Sequence, residues 1–122
     1  MTPGPTVLLV DDDAFVRTVL RDALQDDGYN LIEAEDGEQA LELIREHRPS
    51  VVLLDLFMPR KSGLEALGEI TTAAPECRVL VISSLDSETL VAQALQAGAA
   101  GFISKPFHPL EISSEVKRQL TH

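Results

Sequence analysis

The chain has 122 residues, enough for one ordinary domain, and its formal net charge is −10 from 20 acidic and 10 basic residues. This acidic balance argues against direct nucleic-acid binding, whose footprint is basic, and suits a protein that binds cations or a basic partner surface. Hydrophobic residues make up 44 % of the chain and charged residues 25 %, a normal globular composition.

Short apolar runs alternate with segments whose apolar residues recur at helical spacing. In chain order, the sequence predicts a strand at Thr6–Val10, a helix containing 16–24, a weaker strand at 29–35, a helix over 36–47, a strand at 51–54, a helix over 64–73, a strand at Arg78–Ser83, a helix over 87–98, a strand at 100–104 and a helix over Pro109–Leu120. Cap and turn residues set the boundaries, which are Gly28, Asp36, Pro49, Gly98 and Pro109.

Four of the five predicted strands are nearly all apolar, as parallel strands buried on both faces should be. Five βα units therefore predict an α/β fold, a doubly wound parallel sheet with helices on both faces. In such open sheets the site lies at the carboxyl ends of the strands, near the point where strand order reverses. Five polar residues follow or close a strand, namely Asp11, Asp12, Asp55, Ser83 and Lys105.

Three consecutive aspartates follow the first strand. One carboxylate suffices to cap the next helix, and we expect Asp13 to do so. Asp11 and Asp12 would repel each other unless a cation offset them, and Mg²⁺ typically takes one or two carboxylates plus waters. Asp55, arriving from a neighbouring strand, is expected to complete that cluster.

A lone carboxylate such as Asp55 at the end of an apolar run is costly to bury. Taken singly, Ser83 is equally well a turn hydroxyl, and Lys105 is more simply a solvated lysine. Together with a metal they supply a carboxylate nucleophile, a hydroxyl donor and a fixed cation, the parts that phosphoryl transfer needs. Pro106, directly after the lysine, is suited to a cis peptide bond.

These motifs make the chain resemble the receiver domain of bacterial two-component response regulators over residues 6–120. The matching residues are Asp11, Asp12, Asp55, Met58, Pro59, Gly63, Ser83, Phe102, Lys105 and Pro106. The resemblance implies one receiver domain over residues 1–122, with a core of about 6–120. It also implies a flavodoxin-like (βα)5 sandwich with strand order 2-1-3-4-5, and a signalling phosphoacceptor rather than a turnover enzyme.

The resemblance further implies that Asp55 accepts a phosphoryl group from a histidine kinase, a phosphotransfer protein or a small phosphodonor. Asp12 and Asp55 would bind Mg²⁺ directly together with the backbone carbonyl of Phe57, and Asp11 would act through water.

Ser83 and Lys105 would hold the phosphoryl oxygens. Phe102 would be the switch aromatic that turns inward as Ser83 moves, so that the helix 4–strand 5–helix 5 face binds an unknown downstream protein or output domain.

Two residues beside the expected site depart from the family pattern, because Phe57 and Leu85 are apolar where the hydrolytic water should pass. We hypothesise that they slow self-dephosphorylation by crowding and drying the site. Ser83 stands where Thr is frequent, and Phe102 replaces the equally common Tyr. Helix 5 is poor in arginine and the preceding segment reads GAAGF, so the ion-pair dimer of DNA-binding regulators is not expected.

Two alternatives use the same residues differently. In a haloacid-dehalogenase-like phosphatase, Asp11 would be the nucleophile and Asp13 the acid, but no Asp follows Asp86 to serve as a late metal ligand. A pseudo-receiver would bind its partner without phosphorylation.

A single cysteine, Cys77, excludes an internal disulfide and favours a reducing compartment. The N-terminal residues MTPGPT lack the basic and apolar regions of a signal peptide, and no apolar run approaches ~18–20 residues. We therefore expect a cytoplasmic location without membrane contact. The three histidines are scattered and show no metal-ligand spacing, so each is most simply a surface residue.

Overall fold

All ten predicted elements are present in the computed structural model, which describes residues 4–57, 63–84 and 87–121. The strands are β1 (Thr6–Val10), β2 (Asn30–Ala34), β3 (Val51–Asp55), β4 (Arg78–Ser83) and β5 (Gly101–Ser104). The helices are α1 (Ala14–Leu24), α2 (Gly37–His47), α3 (Gly63–Ala73), α4 (Glu88–Gln96) and α5 (Pro109–Leu120). No helix in these described ranges has the length and apolar character that crossing a bilayer requires.

The five strands form one parallel sheet in the order β2-β1-β3-β4-β5, as predicted. The central strand β3 is buried at every position, because it lies between two neighbours and under helices on both faces. The edge strand β2 is only partly buried at most positions, which explains its weaker apolar signal. Strand order reverses between β1 and β3, so the carboxyl ends of these two strands define the switch point of the sheet.

Side chains that alternate along the strands enter two separate core layers. One layer joins the sheet to α2, α3 and α4 and contains Leu8, Val52, Leu54, Ile44, Leu67 and Ala94. The other joins the opposite face of the sheet to α1 and α5 and contains Leu9, Leu53, Leu20, Ile112 and Val116.

Polar side chains cap the helices that start at the carboxyl edge of the sheet. Asp13 accepts the Phe15 N–H at 2.9 Å and so begins α1 at Ala14, two residues before the predicted apolar pattern. Asp36 caps α2 as predicted. His108 is exposed, as predicted, and its Nδ1 also accepts the Leu110 N–H at 3.1 Å and caps α5.

Thr71 joins α3 to the end of α4. Its hydroxyl donates to the carbonyl of Ala97 at 2.8 Å, one residue after the end of α4. The Thr71 hydroxyl also lies 3.2 Å from the carbonyl of Gly68 in its own helix, and Thr72, the next residue, donates among the described residues only to that carbonyl, at 2.8 Å.

A Thr71→Val substitution should lower the free energy of unfolding by about 1 kcal/mol, because it removes one partly buried interhelical hydrogen bond while keeping the side-chain shape. The matched control, Thr72→Val, should change it by less than about 0.5 kcal/mol. Urea denaturation of both variants measures the difference. Equal effects would show that the bond to α4 adds nothing beyond helix propensity.

Candidate functional site

Three aspartates meet at the carboxyl ends of the two central strands. One carboxylate oxygen from each of Asp11, Asp12 and Asp55 lies within 4.8 Å of the other two. Asp11 follows β1 and is 2 % exposed, Asp55 ends β3 and is 6 % exposed, and Asp12 faces solvent. The cluster therefore has a buried floor of two carboxylates and an open side.

The two buried carboxylates are held in the same way. Each Oδ1 accepts the backbone N–H two residues ahead, with Asp13 N–H donating to Asp11 at 2.9 Å and Phe57 N–H donating to Asp55 at 3.2 Å. Each Oδ2 faces the ammonium of Lys105, whose Nζ lies 3.4 Å from Asp11 and 3.7 Å from Asp55. One cation from the end of β5 thus serves both acids.

Burial raises the pKa of Asp55 from 3.8 to about 6. The Phe57 N–H and the Lys105 ammonium oppose this rise, while the neighbouring charge of Asp11 adds to it. Burial also raises the pKa of Asp11, against the pull of the Asp13 N–H and Lys105. The site therefore holds more negative charge than Lys105 offsets, which favours an added cation.

Ser83 and Phe102 lie on the adjacent strands β4 and β5, and Lys105 directly follows β5. Ser83 is fully buried at the end of β4, and its carbonyl accepts the Lys105 N–H at 2.8 Å. Phe102 pairs in register with Val81 and packs partly buried against the layer that contains α4. The peptide bond between Lys105 and Pro106 is cis.

Two further residues of this region were not predicted. Ser104 pairs in register with Ser83, so a second hydroxyl residue stands beside the first at the sheet edge. Arg17 reaches back from α1 to the Asp11 carbonyl. A serine next to the lysine and an arginine one helical turn after the capping Asp13 were the available signals.

Met58 and Pro59, which follow Phe57, and Leu85 of the dephosphorylation hypothesis lie outside the described residues. Phe57 itself is half exposed at 50 %, and its backbone N–H faces Asp55.

The arrangement does not favour the phosphatase alternative. That mechanism needs Asp13 as a proton donor beside Asp11, but the Asp13 carboxylate caps α1. Asp11, its proposed nucleophile, is instead buried and paired with Lys105.

A comparison with protein families decides the relationship, because residues 7–117 match the model of the response regulator receiver domain. This chain belongs to that family. It is a CheY-like receiver domain of two-component signal transduction, a signalling class distinct from turnover enzymes.

Curated relatives agree with the family match. The receiver domain is 37 % identical over 115 residues to the chemotaxis protein CheY of Bacillus subtilis. The aligned region covers 93 % of this chain and 96 % of that protein. It is 38 % identical over 114 residues to the response regulator MprA of a Mycobacterium species, covering 93 % of this chain but 50 % of that protein.

Solved structures share the fold over nearly the whole chain. The BeF3-activated receiver domain of DrrB superimposes with a TM-score of 0.90 at 30 % identity, covering 98 % of this chain and 99 % of that one. The receiver domain of NtrX from Brucella abortus gives a TM-score of 0.88 at 32 % identity, covering 94 % and 98 %.

Receiver domains generally bind Mg²⁺ at an acidic site, and the residues present here fit that ion. The cluster offers only oxygen donors, which a hard divalent cation prefers, and its open side leaves room for waters. Family members also interact with histidine kinases or phosphotransfer proteins and with output domains.

Proposed function

We propose that Asp55 is the phosphoacceptor of this receiver domain. The observation that carries the proposal is the position of its carboxylate, which is buried at the switch point of the sheet, clustered with Asp11 and Asp12, and 3.7 Å from the Lys105 ammonium. A group so placed can attack a phosphoryl donor that enters from the open side, while fixed charges surround the incoming oxygens.

In the proposed reaction, one carboxylate oxygen of Asp55 forms a bond to phosphorus as the bond to the donor's nitrogen or oxygen breaks. The leaving group departs with that electron pair, and the product is an acyl phosphate. Asp12, Asp55 and the backbone carbonyl of Phe57 would hold Mg²⁺ directly, with Asp11 acting through water, and the bound ion would supply charge neutralisation for the transferred oxygens.

Lys105 and Ser83 hold the remaining phosphoryl oxygens in this proposal. Lys105 is already directed at Asp55, and Ser83 ends the neighbouring strand one residue beyond Ile82, the register partner of Asp55. Movement of Ser83 toward the phosphoryl group frees space behind it for Phe102, which turns inward and changes the α4–β5–α5 face. That face then binds a downstream protein or output domain.

The same proposal covers the setting in which the domain acts. Residues 1–122 form one receiver domain with a core of about 6–120, phosphorylated by a histidine kinase or phosphotransfer protein in the cytoplasm. It contacts neither membrane nor nucleic acid. The free thiol of Cys77 supports a reducing compartment, and the net charge of −10 argues against nucleic-acid binding.

Incubation with a small phosphodonor, with Mg²⁺ or with EDTA, followed by intact-protein and peptide mass spectrometry, tests the function. One acyl phosphate on Asp55 that requires Mg²⁺ supports the proposal. Continuous release of phosphate over many turnovers without a stable intermediate would support the phosphatase, and an unmodified chain would support the pseudo-receiver.

A Phe57→Asn substitution should shorten the lifetime of the acyl phosphate severalfold. The Phe57 side chain is half exposed beside the phosphoacceptor, so a polar amide there admits and orients water that the phenyl ring excludes. Decay of the isolated phosphoprotein measures this effect, and the double variant Phe57→Asn, Leu85→Glu should decay faster still. Unchanged lifetimes in both variants would contradict the hypothesis.

A further inference from the structure

The Arg17 side chain extends from α1 toward the acidic cluster and is nearly buried. Its contact there is to the backbone of Asp11 and not to a carboxylate of the cluster. Its side chain is 12 % exposed, and its terminal NH1 donates to the backbone carbonyl of Asp11 at 2.6 Å. Its Nε donates to the carboxylate of Glu33 on β2 at 2.9 Å. The guanidinium therefore bridges three segments, α1, β2 and the turn that carries the acidic pair.

We infer that Arg17 is a positioning residue that sets the direction in which Asp11 and Asp12 present their carboxylates to the cation. The inference rests on the proposed magnesium site. A peptide unit is planar, so the bond to the Asp11 carbonyl also fixes the plane of the Asp12 N–H. The Asp12 side chain is solvent exposed, and its orientation depends on that backbone.

The other contacts of Asp11 leave this role to the arginine. The Asp11 N–H donates to the Ala34 carbonyl at 3.2 Å, which ties the residue to β2. Its carboxylate accepts from the Asp13 N–H and faces Lys105. Arg17 supplies the fixed point on the carbonyl side, at the junction where the chain leaves β1 and enters the turn.

Glu33 neutralises the charge of the nearly buried Arg17 guanidinium. It accepts from Arg17 with one oxygen and from Arg21 with the other, the latter pair lying 2.7 Å apart. Burial acts to raise the pKa of Glu33, but the hydrogen bonds and charges of the two arginines outweigh it and lower the pKa. The carboxylate is therefore ionised at neutral pH, and it holds the Arg17 fork in the orientation that reaches Asp11.

Arg21 provides a matched control on the same helix. It shares Glu33 with Arg17, but its NH2 donates to the Leu31 carbonyl on β2, at 3.3 Å. Removing Arg21 therefore costs an ion pair to Glu33 and leaves the bond to the Asp11 carbonyl in place. A purely structural role for these arginines predicts similar behaviour of both variants.

The test is the Mg²⁺ dissociation constant, obtained from the rise in melting temperature over a magnesium titration. Arg17→Met should raise the constant about tenfold, in line with the loss of other outer-shell partners. Arg21→Met should leave it within twofold of the parent. Arg17→Lys should fall between them, because a single ammonium reaches either the Asp11 carbonyl or Glu33 in this geometry.

Melting in EDTA separates metal affinity from fold stability, since a merely structural residue lowers the starting temperature but not the magnesium response. Equal dissociation constants for the parent and Arg17→Met, or equal losses for Arg17→Met and Arg21→Met, would overturn the inference. If Arg17→Met does not fold, Arg17→Lys carries the same comparison. A parent that shows no response to Mg²⁺ would instead overturn the proposed metal site itself, and this inference with it.

Discussion

An Asp55→Asn variant is expected to take up no phosphoryl group from a small phosphodonor in the presence of Mg²⁺, a loss on the order of 10²-fold or more. The amide has the shape of the carboxylate and can still accept the Phe57 N–H, so the fold at the end of β3 is kept. It lacks the anionic oxygen that attacks phosphorus, and no acyl phosphate can form at this position. Intact-protein mass spectrometry reads the result directly.

Asp13→Asn is the matched control for this experiment. It also removes one carboxylate near the site, but asparagine caps a helix as well as aspartate does, so α1 keeps its start. Phosphorylation of this variant should equal that of the parent. Labelling of Asp55→Asn at the parent's level would place the phosphoacceptor elsewhere, and peptide mapping to Asp11 would revive the phosphatase alternative.

In EDTA at pH 7, the Asp55→Asn protein should also be more stable than the parent, by about 1–3 kcal/mol. The pKa of Asp55 is about 6 in the folded chain against 3.8 as its ordinary value, so its ionised form is disfavoured by folding. One pKa unit corresponds to about 1.4 kcal/mol, so this difference in pKa sets the upper limit of the stability gain near 3 kcal/mol. The amide carries no charge and avoids this cost.

The gain should depend on pH in a defined direction. Between about pH 4 and 6 the folded parent binds more protons at Asp55 than the unfolded chain does, so its stability from this group falls as pH rises through that window. Above pH 6 the full cost is present, and below pH 4 it is absent. The stability difference between Asp55→Asn and the parent should therefore be largest at pH 7 and close to zero at pH 4.

Urea denaturation at pH 7, 5.5 and 4 measures this difference, and Asp13→Asn again serves as the control. Adding Mg²⁺ at pH 7 should narrow the gap, because the ion offsets the charge of the parent's carboxylate but has less to bind in the variant. A gap that stays constant over the pH range would show that Asp55 is not destabilised by its surroundings in the folded chain.

The residues at the strand ends could be predicted because parallel strands bring their carboxyl ends to one edge. Asp11, Asp55 and Lys105 needed only the strand boundaries and that rule, and their ion pairs confirm the expected meeting. The cap at Asp13 followed equally from local chemistry.

Other contacts depend on register and side-chain reach, which a single sequence does not specify. Ser104 lies beside Ser83 only because β4 and β5 pair in that register. Arg17 donates to the Asp11 carbonyl and also to Glu33, which is 16 residues later in the chain. Arg48 at the end of α2 likewise has a left-handed backbone, with φ of 49°. The sequence does not predict this conformation, because the residue there is not a glycine.

The Lys105 ammonium lies 3.4 Å from the Asp11 carboxylate and 3.7 Å from that of Asp55. Lys105 also directly follows β5, the strand that carries Phe102. A new phosphoryl group on Asp55 would force this one ammonium to redistribute its attraction, and the backbone behind it is bonded to Ser83. Only three peptide bonds separate Lys105 from Phe102, the ring that we propose responds to phosphorylation. On this proposal, the response to phosphorylation runs from Asp55 through one ion pair and the end of β5 to Phe102.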